Sequence, residues 1–154
     1  MTDCALCRDD GGLLLWSGQG WRVVRASGGE VAAAPAWYRV IAAAHVAEWS
    51  DLSAPEQACA MALVTAVERA LRATLTPTKV NLASLGNAVP HLHWHVIARF
   101  GWDSRYPAPV WAPAQRDDDA LRLAALRQQL PVCDAAVVEA LDALSTPSPK
   151  ENPR

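Results

Sequence analysis

The 154-residue chain holds no apolar run approaching the roughly 20 residues that a membrane-spanning helix needs, although 51% of its residues are hydrophobic. Its start is acidic and cysteine-bearing, where a secretory leader would be basic and then apolar. No membrane partner and a cytoplasmic location are therefore expected. Basic clusters are missing too. The 14 Lys and Arg residues are scattered and balanced by 16 acidic ones, for a net charge of -2, which gives no footprint for a nucleic acid polymer. No Walker-type glycine-lysine loop occurs, and nothing in the chain demands magnesium. Internal repeats are absent. Four cysteines are too few for a disulfide scaffold, so thiols are expected.

What the chain does have is a row of histidines. His91, His93 and His95, three of its four histidines, alternate with the apolar Leu92, Trp94 and Val96. Period two is the period of a strand, so the three imidazoles are expected on one face and the apolar residues on the other, toward a core. Neighbouring histidines would lie about 6.6 Å apart and the outer pair about 13 Å, so one ion cannot take all three. An adjacent pair could chelate zinc. The same row suits nucleophilic or acid–base chemistry near neutral pH, and the plain alternative is a half-exposed strand that merely carries histidines.

The rest of the pattern gives the class. Residues 13–16 and 21–25 read as a hairpin around a 17–20 turn, residues 36–41 as a third strand leading to His45, and residues 79–85 as a strand pairing beside the histidines through a turn at Gly86 and Asn87. Ser53 with Glu56 has the form of a capping box, and Leu63, Val67, Ala70 and Leu71 form the core stripe of a long helix that Thr76 and Pro77 close. Residues 103–113 hold three prolines and read as a loop whose Tyr106 and Trp111 could wrap over a neighbouring surface. Two more helices are expected, over 117–130 and 135–144, and a disordered tail over 145–154. The expectation is one α+β domain over 1–144, a mainly antiparallel sheet with helices packed on one side. Cys59 and Cys133 read as small core side chains. Cys4 and Cys7, spaced Cys-x-x-Cys, have the form of half a zinc site.

The run His91-Leu92-His93-Trp94-His95-Val96-Ile97 resembles the His-φ-His-φ-His-φ-φ signature of the histidine-triad family of nucleotide hydrolases and transferases, φ being apolar. Residues 85–90, with Gly86, resemble the phosphate loop that precedes the triad in that family. The resemblance implies a five-stranded antiparallel sheet, a homodimer, and a nucleotide as small-molecule partner. It also implies that His93 attacks an α-phosphorus to give a nucleotidyl-histidine, that His95 stabilises charge or hydrogen-bonds the bridging oxygen, and that Gly86, Asn87 and Ala88 cradle phosphate. Asn81 could reach the phosphate from the next strand, or could be an ordinary strand-end polar residue. Ala88 departs from the hydroxyl residue that some relatives have there, which removes a source of leaving-group protonation. Arg99 reads as a surface or phosphate-screening charge.

The cysteine-bearing, bacterial-type branch of the family implies a structural zinc held by Cys4, Cys7, His45 and His91. In the opposing reading the cysteines fray and His45 hydrogen-bonds His91. The chain thus resembles a phosphoanhydride hydrolase, with a dinucleoside polyphosphate such as diadenosine tetraphosphate as the leading substrate. A phosphoramidase or nucleotidyl transferase would use the same nucleophile, and a non-catalytic, zinc-stabilised nucleotide-binding module is the third class. For the dimer, the helix from Ser53 and the strand from Lys79 are the expected contacts, since seven Trp residues need cover.

Overall fold

The computed structural model of the protein describes residues 4–145. A one-turn helix α1 (Ala5–Arg8) leads into the strands β1 (Leu13–Gly18), β2 (Trp21–Arg25) and β3 (Trp37–Ala42). The long helix α2 (Ala54–Leu75) follows, then β4 (Lys79–Ala83), β5 (His93–Arg99) and a final helix α3 (Ala120–Ser145). The five strands form one sheet in the order β1-β2-β3-β5-β4, antiparallel throughout. Only Gln19 and Gly20, both at positive φ, separate β1 from β2, a two-residue connection whose twist suits a hairpin.

Alternation assigns the two faces. Trp16, Val23, Tyr38, Val40, Val96 and Ala98 join Leu63, Val67 and Leu71 of α2 and Leu126 and Val137 of α3 in the main core. The capping box forms as the sequence predicts, with the Ser53 N–H donating to Glu56 Oε2 at 2.7 Å. Thr76 ends α2 in the left-handed region. On the opposite face lie two smaller clusters, one of Leu6, Val24, Ile41 and Cys4 under α1, the other of Trp37, Ile97, Val31 and Val110 under the loops. β5 is therefore covered on both faces.

Several expectations change. The two C-terminal helices are one 26-residue helix that runs through Pro131. An internal proline costs ~3 kcal/mol, but Leu123, Leu126, Leu130, Cys133, Val137 and Leu141 are buried along the whole length. At ~1.5–3 kcal/mol for each large apolar side chain, that stripe outweighs the break. The strand carrying the triad starts at His93 and not at His91. His91 N–H turns back to the Val89 carbonyl at 2.8 Å, so its backbone lies outside the strand ladder. Most tryptophans are also covered within the chain, Trp111 alone being largely exposed, so their number is no argument for a partner. Tyr106 and Trp111 pack on this chain's own sheet face, against Arg99, Trp37 and His95. Cys133 is buried as expected, while Cys59 is half-buried with its thiol on Gln19 Oε1. Beyond Ser145, which ends α3, the expected tail lies outside the described residues.

Candidate functional site

Two constellations share the sheet face away from α2. The first joins Cys4 and Cys7, at the ends of the first turn of α1, to His45 after β3 and His91 before β5. One ligand atom from each lies within 4.8 Å of all the others. Cys4 Sγ and Cys7 Sγ both lie 3.5 Å from His91 Nδ1, and Cys7 Sγ lies 3.4 Å from His45 Nδ1. The His91 ring is orientated from behind: its Nε2–H donates to the Ala42 carbonyl at 2.7 Å, which leaves Nδ1 as the lone-pair nitrogen facing the thiols. Burial pushes the His91 pKa below the usual histidine value, against the pull of the Ala42 carbonyl, so the ring is held in the neutral form that ligation needs.

The second constellation lines a cavity of about 520 Å³. Its floor is His93 and His95 of β5 with Arg39 and Trp37 of β3. One wall is the α1 segment with Leu6, Asp9 and Gly11, another is the loop from Leu85 to Val89, and Trp111 closes a third side. Gly86 sits in that loop at φ +74°, a conformation that costs glycine little. His93 and His95 have ring centroids 4.7 Å apart. His93 Nδ1 lies 2.6 Å from the His91 carbonyl; a carbonyl only accepts, so Nδ1 carries the hydrogen and Nε2 the lone pair. His95 has the opposite tautomer. The Trp37 indole N–H donates to its Nδ1 at 2.9 Å, so its hydrogen is on Nε2. Burial, with the charges of His93 and Arg39, pushes the His95 pKa down to about 3, so this ring stays neutral and acts as a hydrogen-bond donor.

Residues 26–101, from the end of β2 to just beyond β5, match the HIT domain family. That stretch contains the whole triad and its loop. This chain carries a histidine-triad domain. A histidine triad protein from Bradyrhizobium japonicum shares 27% identity over 86% of this chain and 92% of that one, with a TM-score of 0.66. One from Sinorhizobium meliloti 1021 shares 23%, over 85% and 90%, with the same TM-score of 0.66. A Zn-bound histidine triad family protein from Mycobacterium smegmatis shares 19%, over 93% and 96%, with a TM-score of 0.55. No curated protein matches the sequence.

Within this histidine-triad domain, Gly86, Asn87 and Ala88 line the cavity together with His93 and His95, whereas Asn81 does not. Its Oδ1 accepts from Arg99 Nη1 at 2.9 Å. Arg99 itself is no surface charge, being only 1% exposed. Its Nε donates to Asp103 Oδ2 at 2.6 Å and its Nη2 to the Ala108 carbonyl at 3.0 Å. A guanidinium there braces the loop that carries Trp111, and Asn81 serves that brace. His45 and His91 rings cross at 5.2 Å, but the His91 nitrogens are engaged by the thiols and a carbonyl, not by His45. Sequence reasoning missed Trp37, Arg39, Asp9 and Trp111. Trp37 and Arg39 are revealed only by the pairing of β3 with β5, in which Arg39 stands opposite His95 and Trp37 opposite Ile97.

Proposed function

We propose that this protein hydrolyses nucleotide phosphoanhydrides at the α-phosphorus, through a nucleotidyl intermediate on His93. The observation that carries the reading is the His93 Nδ1 to His91 carbonyl contact, which makes Nε2 the nucleophilic nitrogen. In the first step Nε2 bonds to phosphorus as the bond to the bridging oxygen breaks. The leaving phosphate carries that oxygen and its electron pair. Water then attacks the same phosphorus and gives up a proton to solvent, the P–N bond breaks, and the electron pair returns to Nε2. Backbone N–H groups around Gly86, Asn87 and Ala88 would receive the non-bridging oxygens, with His95 Nε2–H as a further donor.

Leaving-group chemistry favours this reading over a phosphoramidase. A neutral His95 whose conjugate acid has a pKa of about 3 carries no acidic proton near neutrality, and Ala88 has no hydroxyl to relay one. A phosphate departs as a stable anion without protonation, whereas an amine does not. Dinucleoside polyphosphates, diadenosine tetraphosphate included, have such leaving groups. A nucleotidyl transferase would differ only in the acceptor of the second step. A merely binding module would not need a nucleophile held in one tautomer.

The Cys4, Cys7, His45 and His91 set suits zinc by donor type, by mutual distance and by the Ala42 carbonyl behind His91. Bound there, zinc would be structural, since four protein ligands leave no open position. The Mycobacterium smegmatis relative is Zn-bound. Reduced thiols at that site accord with a cytoplasmic protein, and no described helix is long and apolar enough to cross a membrane. A single domain over 1–144 would act as a homodimer through α2 and the edge strand β4, where Leu82 is about half exposed. The test is a turnover screen of dinucleoside polyphosphates beside nucleoside phosphoramidates. Faster cleavage of the anhydrides is expected, and amidate cleavage alone would overturn the assignment.

A further inference from the structure

The end of the cavity beside α1 is polar. Arg39 is the only Lys or Arg, and Asp9 the only carboxylate, among the described residues that line it. Gly11 ties the two together: its N–H donates to Asp9 Oδ1 at 2.8 Å, and its carbonyl accepts from Arg39 Nη1 at 3.0 Å. The Arg39 guanidinium lies 5.9 Å from the Trp37 ring centroid. Since Arg39 stands opposite His95 on β3, it is one strand further than the triad from β4, on the side of the α1 segment. The loop holding Gly86 joins β4 to the triad. A phosphate held between that loop and His93 therefore directs whatever it carries toward Arg39 and Asp9.

We infer that Arg39, with Asp9, makes this cavity selective for guanine nucleotides over adenine nucleotides, a conclusion that rests on the nucleotide reading above. A guanidinium only donates and a carboxylate only accepts. Guanine presents two adjacent acceptors, O6 and N7, and beside them donors at N1 and N2. Adenine presents the N6 donor next to the N7 acceptor, a pair that asks for a side-chain amide and leaves a guanidinium facing an N–H. Arg39 and Asp9 thus match guanine on both counts. Arg39 is a specificity-determining residue here and takes no part in the bond-breaking steps.

Binding of the mononucleotide products tests this without turnover. GMP, AMP, CMP and UMP are titrated calorimetrically into the full-length wild-type protein and into Arg39→Gln and Asp9→Asn. GMP should bind wild type roughly tenfold or more tighter than AMP, within the range that one bidentate guanidinium contact is worth. Arg39→Gln, whose amide offers one donor and one acceptor, should reverse the preference, which a folding defect cannot do. Asp9→Asn keeps an oxygen for the Gly11 N–H and should weaken GMP several-fold while sparing AMP. Wild type that binds AMP or a pyrimidine nucleotide as tightly as GMP, or Arg39→Gln that weakens GMP and AMP equally, overturns the guanine assignment and leaves the nucleotide reading standing. Failure of all four nucleotides to bind overturns both.

Discussion

Trp37 and His95 are joined by a bond whose polarity is fixed, because an indole N–H can only donate: at 2.9 Å it makes His95 Nδ1 the acceptor and leaves the hydrogen on Nε2. The ring is buried beside His93 and Arg39, and its pKa falls from 6.5 to about 3. Between those values the unfolded chain binds a proton that the folded chain does not, so stability must rise with pH across that window and is fully present above pH 6.5. Two-bond proton–nitrogen NMR spectra at pH 5 should show a neutral His95 with Nδ1 bare, and acid should lower the melting temperature less steeply in His95→Asn than in wild type. Trp37→Phe removes the donor and lets the tautomers mix. Its kcat should fall, by less than the roughly 10²-fold that outright loss of a charge-stabilising donor costs.

His93→Ala should abolish turnover with little change in nucleotide affinity, because the loop and the nucleoside wall remain. His95→Ala should cost on the order of 10²- to 10³-fold in kcat. Mass spectrometry after a quench that avoids acid should find one nucleotidyl group, on His93. An adduct elsewhere, or an active His93→Ala protein, would return the row to the chelating-pair alternative.

Metal analysis of the purified protein should give about one zinc per chain, from four ligands in one closed site. Replacing Cys4 and Cys7 with Ser should lower the melting temperature. Ala5, Leu6 and Asp9 of the same segment line the cavity, so nucleotide affinity should weaken alongside. A metal-free preparation of unreduced stability would end the zinc assignment.

Asp103→Asn should be among the most destabilising polar substitutions, since it leaves the buried Arg99 guanidinium without its counter-charge. The cost expected for breaking such a pair is about 3–5 kcal/mol. Urea unfolding measures it. Replacing both partners with apolar residues, as in Arg99→Met with Asp103→Leu, should recover much of the loss, and recovery of none would mean that Asp103 acts through the Arg105 and Tyr106 N–H groups it also accepts from.

Local chemistry is legible in the chain by itself wherever a short-range rule governs. Period two separated His93 and His95 from Trp94 and Val96 because alternate strand residues face opposite ways, and the Ser53 and Glu56 spacing set the start of α2 for an equally local reason. The family signature reaches His91, His93, His95 and Gly86 in one run, and the Cys-x-x-Cys spacing marks Cys4 and Cys7. Strand pairing, by contrast, acts between residues far apart in sequence. Only the antiparallel register of β3 on β5 puts Arg39 and Trp37 beside His95, and only packing decides that Arg99 is buried on Asp103 and not exposed, or that Asn81 is spent on that arginine. Pro131 shows the same division. Backbone chemistry argues for a break there, and α3 continues because its apolar stripe finds a surface to cover along its whole length, a fact about the assembled core that no window of sequence contains.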